Sequence, residues 1–150
     1  MEQLSYHRGL AADHENHNSN NEPLIEQTKE QVSYVDYLEE AMIIFAKEKY
    51  RKANKMFELV LDHYPEDANA LFYSGLCNYY LGNYEKSETL FSTPISDQIN
   101  TFEQESEFYL ALTYCRSKQK EKACTLLSNI ISRGDFYAES AMKEQQRFCP

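Results

Sequence analysis

Apolar residues recur at helical spacing along most of the chain. In the segment 34–47, aromatic and aliphatic positions fall three or four residues apart, the period of an amphipathic helix. The same spacing predicts further helices over 50–64, 68–81, 84–93, 104–117, 120–132 and 136–148. Helix-ending residues lie between them, namely Pro65, Gly82, Pro94 and Gly134. With only four glycines and four prolines in 150 residues, the pattern predicts an all-α protein.

The predicted helices form pairs, and certain positions repeat from pair to pair in register. Three sets of residues keep spacings of 34 and 36 along the chain. They are Ala41, Gly75 and Ala111, then Ala53, Ser87 and Ala123, then the large residues Phe57, Phe91 and Leu127. Small residues at matching positions allow two helices to approach closely. The chain therefore reads as three similar helix pairs.

A period near 34 residues with two helices per unit resembles the tetratricopeptide repeat family. The middle repeat is the best match, with Leu71, Gly75, Gly82, Tyr84 and Phe91 at family positions. Departures occur at Glu40, Ser74 and Asn78, and at Lys118 and Lys120, which replace the usual turn glycine and aromatic residue. The third repeat also resembles the last repeat of some bacterial envelope-associated members. The resemblance implies an α-α superhelix with a right-handed stack of hairpins.

The domain organisation follows from these repeats. A domain over 31–150 would hold repeats at about 34–67, 68–101 and 104–135, with a polar capping helix over 136–148. Residues 1–30 carry few aliphatic side chains and six acids against two bases, so we expect a flexible acidic and polar tail. Its His14-Glu-Asn-His17 motif would need a scaffold to hold a metal ion, and a solvated tail is the favoured interpretation.

The composition of the chain argues against some classes of binding partner. The net charge of −9 opposes binding to nucleic acid and to anionic membranes. No stretch is apolar enough for direct membrane insertion. The spacing of Cys77, Cys115, Cys124 and Cys149 matches neither a zinc site nor a disulfide framework, so we expect buried thiols and a reducing compartment. We predict a cytoplasmic protein, or a periplasmic or membrane-tethered one if the chain is a fragment.

The resemblance also implies a binding surface, because the first helix of each family repeat lines the concave face. The corresponding positions are Leu38, Met42, Phe45, Asn69, Phe72, Leu76, Tyr79, Tyr80, Phe108, Cys115 and Arg116, with Glu105 beside them. Tyrosine and arginine are favoured at binding hot spots. Two alternatives stay open. Phe72, Leu76 and Phe108 would belong to the core, or the tail or a further helix pair would fill the groove.

One family subclass clamps a terminal carboxylate with lysine and asparagine. The matching positions here are Leu38, Met42, Tyr73, Glu105 and Tyr109, which offer no cation, so we predict no such clamp. Enzymatic motifs are also missing from the sequence: the four histidines are scattered, and there is no catalytic triad spacing and no glycine-rich phosphate loop.

We therefore predict a non-catalytic scaffold, without a metal or other cofactor, that binds a peptide segment or helix of a protein partner on its concave face. The alternative is a structural or self-association module of a larger, membrane-tethered envelope assembly.

Overall fold

The computed structural model describes residues 22–93 and 102–149, with side chains from residue 34 onward. These ranges contain seven helices and no strand. The helices are α1 (Glu22–Ala46), α2 (Tyr50–His63), α3 (Ala68–Tyr80), α4 (Tyr84–Phe91), α5 (Glu103–Arg116), α6 (Lys120–Arg133) and α7 (Ala138–Phe148). The prediction of an all-α helical repeat is confirmed.

The helices stack in two layers. Each helix packs against the next one in sequence, and further contacts join α1 to α3, α3 to α5 and α5 to α7. The helices α1, α3, α5 and α7 therefore form an inner layer, and α2, α4 and α6 form an outer layer. Because a helix pair cannot bury its apolar side alone, each pair completes its core against its neighbour, as in other helical repeats.

The repeat is most regular in the turns that follow α1, α3 and α5. Glu48, Gly82 and Lys118 occupy equivalent positions, and all three have a positive φ, of 58°, 79° and 62°. The next amide in each turn donates to a carbonyl five residues back, as Asn83 N does to Asn78 O at 2.8 Å. This is the Schellman ending of a helix, which favours glycine at the left-handed position. Two of the three turns adopt it without glycine.

The predicted columns of small residues lie where the helices cross. Ala41, Ala53 and Ala111 are fully buried. A Cβ atom added to Gly75 would come within 2.6 Å of the Phe91 ring, so this glycine lets α4 approach α3. The spacing of 34 and 36 residues thus reports a real contact between helices.

Two departures from the family pattern form a buried polar network between α2 and α3. The Ser74 hydroxyl donates to the side-chain oxygen of Asn54 at 2.7 Å. The Asn78 amide donates to the same oxygen at 2.9 Å and to the Ser74 carbonyl at 2.9 Å. No buried side-chain nitrogen or oxygen lacks a partner in the described part of the chain. Hydrogen bonds therefore replace the apolar contacts that leucine and tyrosine would make.

The position equivalent to Asn54 in the middle repeat is Glu88, and it also links the repeat to the next one. Its carboxylate accepts hydrogen bonds from Gln119 at 2.7 Å and from Lys122 at 3.1 Å. The bond from Gln119, together with Lys122, lowers the pKa of Glu88 despite its partial burial. The carboxylate thus stays ionised and holds α4 against the start of α6.

The third equivalent position, Cys124, corrects the prediction about the cysteines. Cys124 forms a disulfide with Cys149, with the two Cα atoms 5.8 Å apart. The turn after α6 folds α7 back, and this brings together two cysteines that are 25 residues apart in sequence. Cys77 and Cys115 are free and buried, as predicted. Burial raises the pKa of the Cys77 thiol to about 12, which leaves it unreactive.

The start of α1 corrects a second prediction. The helix begins at Glu22 and not at residue 34, so residues 22–30, which we assigned to the flexible tail, are helical. Pro23 is compatible with this start because first-turn amides have no acceptor within the helix. The tail before residue 22, with its histidine motif, and Pro94 with the connection after it lie outside the described residues.

The C-terminal cap follows the prediction in part. Gly134 ends α6 with a φ of 66°, as expected for a glycine after a helix. Asp135 accepts a hydrogen bond from the Tyr137 amide at 3.1 Å, but α7 begins only at Ala138. Phe136 and Tyr137, predicted to open the helix, form the turn before it.

Candidate protein-binding face

The exposed side of α1, α3 and α5, here called the inner face, is smaller than the sequence predicts. Five of the predicted positions are buried, with between 1% and 9% of their surface exposed: Leu38, Phe72, Leu76, Phe108 and Cys115. Half-buried positions are Met42, Phe45, Asn69 and Tyr79. Tyr80 and Arg116 are exposed. The core alternative for Phe72, Leu76 and Phe108 therefore describes their side chains correctly.

Overlap between neighbouring repeats explains this burial. The Phe102 ring stacks on Phe72 with ring centres 4.5 Å apart, and the Tyr137 ring stacks on Phe108 at 4.8 Å. Each ring comes from the start of the next repeat or of the capping helix. Sequence periodicity places a residue on a side of its own helix, but it does not show how far the following helix covers that side.

The accessible part of the inner face is an aromatic cluster around Tyr80, which is 47% exposed. Tyr50 stacks on Tyr80 with ring centres 4.7 Å apart. Phe45 contacts Tyr50 edge to face at 5.4 Å and Tyr73 at 5.1 Å. Such edge-to-face and stacked pairs hold rings in fixed orientations. The cluster therefore presents a rigid, half-exposed aromatic surface.

Hydroxyl groups extend the cluster toward α5. Tyr109 lies 5.8 Å from Tyr79, ring centre to ring centre, and shares a hydrogen bond with the Tyr80 hydroxyl. Burial, together with this bond, raises the pKa of Tyr109. Arg116 donates to the Tyr79 hydroxyl, which raises the pKa of the guanidinium further. Tyr109 thus stays neutral, and the guanidinium of Arg116 places one cation beside Tyr79.

Tyr50, Tyr73, Phe102 and Tyr109 belong to the cluster or its floor, and the predicted binding set omits them. A signal for two of them existed in the sequence. Tyr73 and Tyr109 lie 36 residues apart, and that spacing marks them as equivalent positions of consecutive repeats. Phe102 lies before its helix, where periodicity gives no information.

A cleft lies at the edge of the stack where α3 and α5 begin and α4 and α6 end. Its volume is about 450 Å³, and its lining includes Leu71, Phe91, Leu110, Glu107 and Arg133. Glu107 and Arg133 form an ion pair with each other, so the arginine of this cleft is already paired.

Metal sites and membrane-spanning helices are absent from the described ranges. No group of three or more histidine, cysteine or acidic residues there is arranged to hold a metal ion. Among the same residues, no helix combines the length and hydropathy needed to cross a bilayer. Glu105 occupies one of the positions at which a carboxylate clamp would need a cation, and its negative charge adds to burial in raising the pKa of Tyr137.

The third helix pair resembles a known protein family. Residues 105–133 match the family model described as tetratricopeptide repeat. This is the third helix pair, whose sequence departs more from the family pattern than that of the middle pair. No curated protein and no solved structure matches the chain, so the likeness to envelope-associated proteins has no support. Residues 105–133 are therefore similar to a tetratricopeptide repeat, and the seven described helices fit a tetratricopeptide-like helical stack.

Proposed function

We propose that this protein is a non-catalytic scaffold that binds a peptide segment or helix of a partner protein on its inner face. Tetratricopeptide repeats generally mediate protein–protein interaction, and residues 105–133 are similar to one. The observation that carries the proposal is the rigid, half-exposed cluster of Phe45, Tyr50, Tyr79 and Tyr80.

The chemistry of the cluster supports a peptide ligand. Tyrosine rings contribute large contact areas with little loss of side-chain entropy, and their hydroxyls add hydrogen bonds at the edge of the contact. An amphipathic helix or an extended segment laid across the cluster would bury the exposed face of Tyr80. Its polar side would then meet Arg116.

The test is a double substitution, Tyr79→Ala with Tyr80→Ala, in the full chain. Pull-down followed by quantitative mass spectrometry should show that partners of the wild type are lost, while circular dichroism shows unchanged helicity. The control is Leu59→Ala, which removes an exposed apolar side chain on α2, outside the aromatic cluster. Equal capture by the folded tyrosine variant and the wild type would refute the proposal.

Self-association is the second candidate function, and one observation favours it. The C-terminal end of the stack exposes Phe136 at 84% and Met142 at 44%. Exposed apolar side chains at the end of a repeat array are available to a second copy. Light scattering at increasing concentration tests this: a constant monomer mass would eliminate it, and a Phe136→Ala variant should be less associated than the wild type.

We also propose that the protein functions in an oxidising compartment, although the cysteine spacing led us to predict the cytoplasm. The Cys124–Cys149 disulfide supports this, because disulfides persist outside reducing compartments. Alkylation of cells before lysis, followed by peptide mass spectrometry, should recover the two cysteines unmodified and linked. Recovery of both cysteines as alkylated thiols would contradict an oxidising compartment and favour the cytoplasm.

A further inference from the structure

Charge is distributed unevenly between the two edges of the stack. The turns after α1, α3 and α5 lie on one edge, here called the turn edge. The stacking of Tyr50 on Tyr80 and the hydrogen bond from Arg116 to Tyr79 hold neighbouring turns side by side. Nine of the fifteen lysines and arginines lie in these turns or in the first two helical turns that follow, and Arg116 is the last residue of the helix before the third turn. A protein with a net charge of −9 thus has one strongly basic border.

The basic residues form two clusters at the ends of the turn edge. The first contains Lys47, Lys49, Arg51, Lys52 and Lys55, all exposed. The second contains Arg116, Lys118 and Lys120, also exposed. In the described ranges none of these eight side chains forms an ion pair. Their charge is therefore available to another molecule.

Three acidic residues of the opposite edge, Asp67, Glu107 and Asp135, differ in this respect because they form contacts within the chain. Asp67 accepts a hydrogen bond from the Ala70 amide at 2.8 Å and another from the Tyr34 hydroxyl. Asp135 lies 3.1 Å from Arg133, which also pairs with Glu107. Docking of the acidic edge of a second copy onto the turn edge would compete with these contacts, and two copies of charge −9 repel each other. An external acidic partner avoids both penalties.

The basic side chains of the two clusters indicate which class of acidic ligand would bind. Six of the eight side chains are lysines, which act as mobile point charges and do not form a fixed fork around one phosphate. Glu48, Glu85 and Glu121 are interspersed, one at each turn, and would repel a continuous polyphosphate backbone. Phe136 and Met142 lie at the far end of the stack, and the exposed apolar side chains near the described turns are Ile43 and Tyr80, a small apolar area for insertion into a bilayer. These features favour a polypeptide with separated carboxylates.

The spacing of the clusters sets the length of that segment. Two helix-to-helix steps separate the first turn from the third, which amounts to about 20 Å. An extended chain covers this distance in roughly six residues. Tyr50 and Tyr80 lie between the clusters, where they would contact the residues that join the two acidic groups.

The geometry points to an acidic peptide as the partner of this protein, bound along the turn edge with one group of Asp or Glu residues on each basic cluster and an apolar residue on Tyr50 and Tyr80. This inference rests on the proposed function and adds the chemistry of the ligand and the edge of the inner face that selects it.

The experiment uses a fluorescein-labelled peptide of about 14 residues, with Asp/Glu blocks at both ends and a tyrosine and a leucine in a roughly six-residue centre. Fluorescence anisotropy with the full chain should show binding that weakens steeply between about 0.05 M and 0.5 M NaCl. A matched peptide with Asn and Gln in place of Asp and Glu should bind at least about tenfold more weakly.

Two charge reversals test the surface itself. Lys52→Glu with Lys120→Glu should weaken binding of the acidic peptide by about tenfold or more. Both positions lie in the first turn of a helix, where an acidic side chain is favourable, so folding should be retained. The control, Lys143→Glu with Arg147→Glu on α7, changes the net charge by the same amount and should leave the affinity within about twofold of the wild type.

The outcomes separate this inference from the proposed function. Equal weakening by both reversal variants, equal affinity for the neutral peptide, or no binding of the acidic peptide would overturn the acidic ligand, while the pull-down result for Tyr79 and Tyr80 stands by itself. Tighter binding to a single-stranded oligonucleotide or to phosphatidylserine vesicles than to the peptide would overturn it too. If the reversal variant fails to fold, the salt dependence and the neutral peptide decide the question with the wild type alone.

Discussion

At the scale of single residues, the three turns of the turn edge show how a repeat can keep its backbone while its sequence changes. Glu48, Gly82 and Lys118 share one left-handed conformation and the same hydrogen-bonding pattern. Only glycine adopts this conformation without contact between Cβ and the backbone, so the other two turns are strained by about 1 kcal/mol each. The surrounding helices hold them in place.

Exchanging residues at these positions should change stability in opposite directions. Lys118→Gly should raise the free energy of unfolding by about 1 kcal/mol because it relieves the strain, and Gly82→Ala should lower it by about 1 kcal/mol. Urea unfolding followed by circular dichroism measures both. A Cβ atom at Gly82 would meet no atom within 4 Å, so a steric clash cannot account for a loss there. A destabilised Lys118→Gly variant would contradict this account.

At the scale of helices, the packing of α3 on α4 depends on one glycine. Because a Cβ atom on Gly75 would overlap the Phe91 ring, the helices are close only as long as that position lacks a side chain. The third repeat solves the same contact with Ala111 and Leu127, both fully buried. The two residues of each pair therefore have to fit each other in size.

This fit in size predicts that a second substitution restores stability lost through the first. Gly75→Ala alone should destabilise the protein by about 1–3 kcal/mol through overpacking, less the gain in helix propensity of about 1 kcal/mol. Adding Phe91→Leu, which copies the third repeat, should recover part of the loss. Thermal unfolding of the single variants and the double variant gives the coupling, and additive effects would show that the two side chains do not compete for space.

The capping helix offers a second prediction at this scale. The disulfide joins α6 to the residue after α7, and it closes a loop of 25 residues. Reduction, or Cys124→Ser with Cys149→Ser, should lower the free energy of unfolding by about 3 kcal/mol. Amide hydrogen exchange should rise first in α7. Cys149→Ser alone also breaks the disulfide, so it should show the same loss, and an undiminished free energy of unfolding in that variant would contradict the prediction.

At the scale of the whole molecule, the sequence was sufficient for the fold and insufficient for the surface. Ala41, Gly75 and Ala111 revealed the repeat because close helix contacts admit only small residues, and that constraint acts on each residue type directly. The exposure of Phe72 and Phe108 depends on rings contributed by Phe102 and Tyr137, which lie outside the repeat pattern.

Two other features were beyond sequence reasoning for related causes. Asn54, Ser74 and Asn78 look like defects in an apolar pattern until the three side chains are brought together across two helices. Cys124 and Cys149 pair because the Gly134 turn reverses the chain, and the spacing of the cysteines carries no trace of that reversal.

The outer helices carry equivalent residues at Asn54, Glu88 and Cys124, and each of them fastens one repeat to the next by a different bond. The three contacts between consecutive units of the stack are therefore sensitive to different solution conditions. Since the pKa of Glu88 is lowered in the folded state, its contribution to stability is present near neutral pH and disappears as acid protonates the carboxylate. A reductant would break the contact made by Cys124, and acid would weaken the contact made by Glu88. The contact made by Asn54 should be unaffected by either.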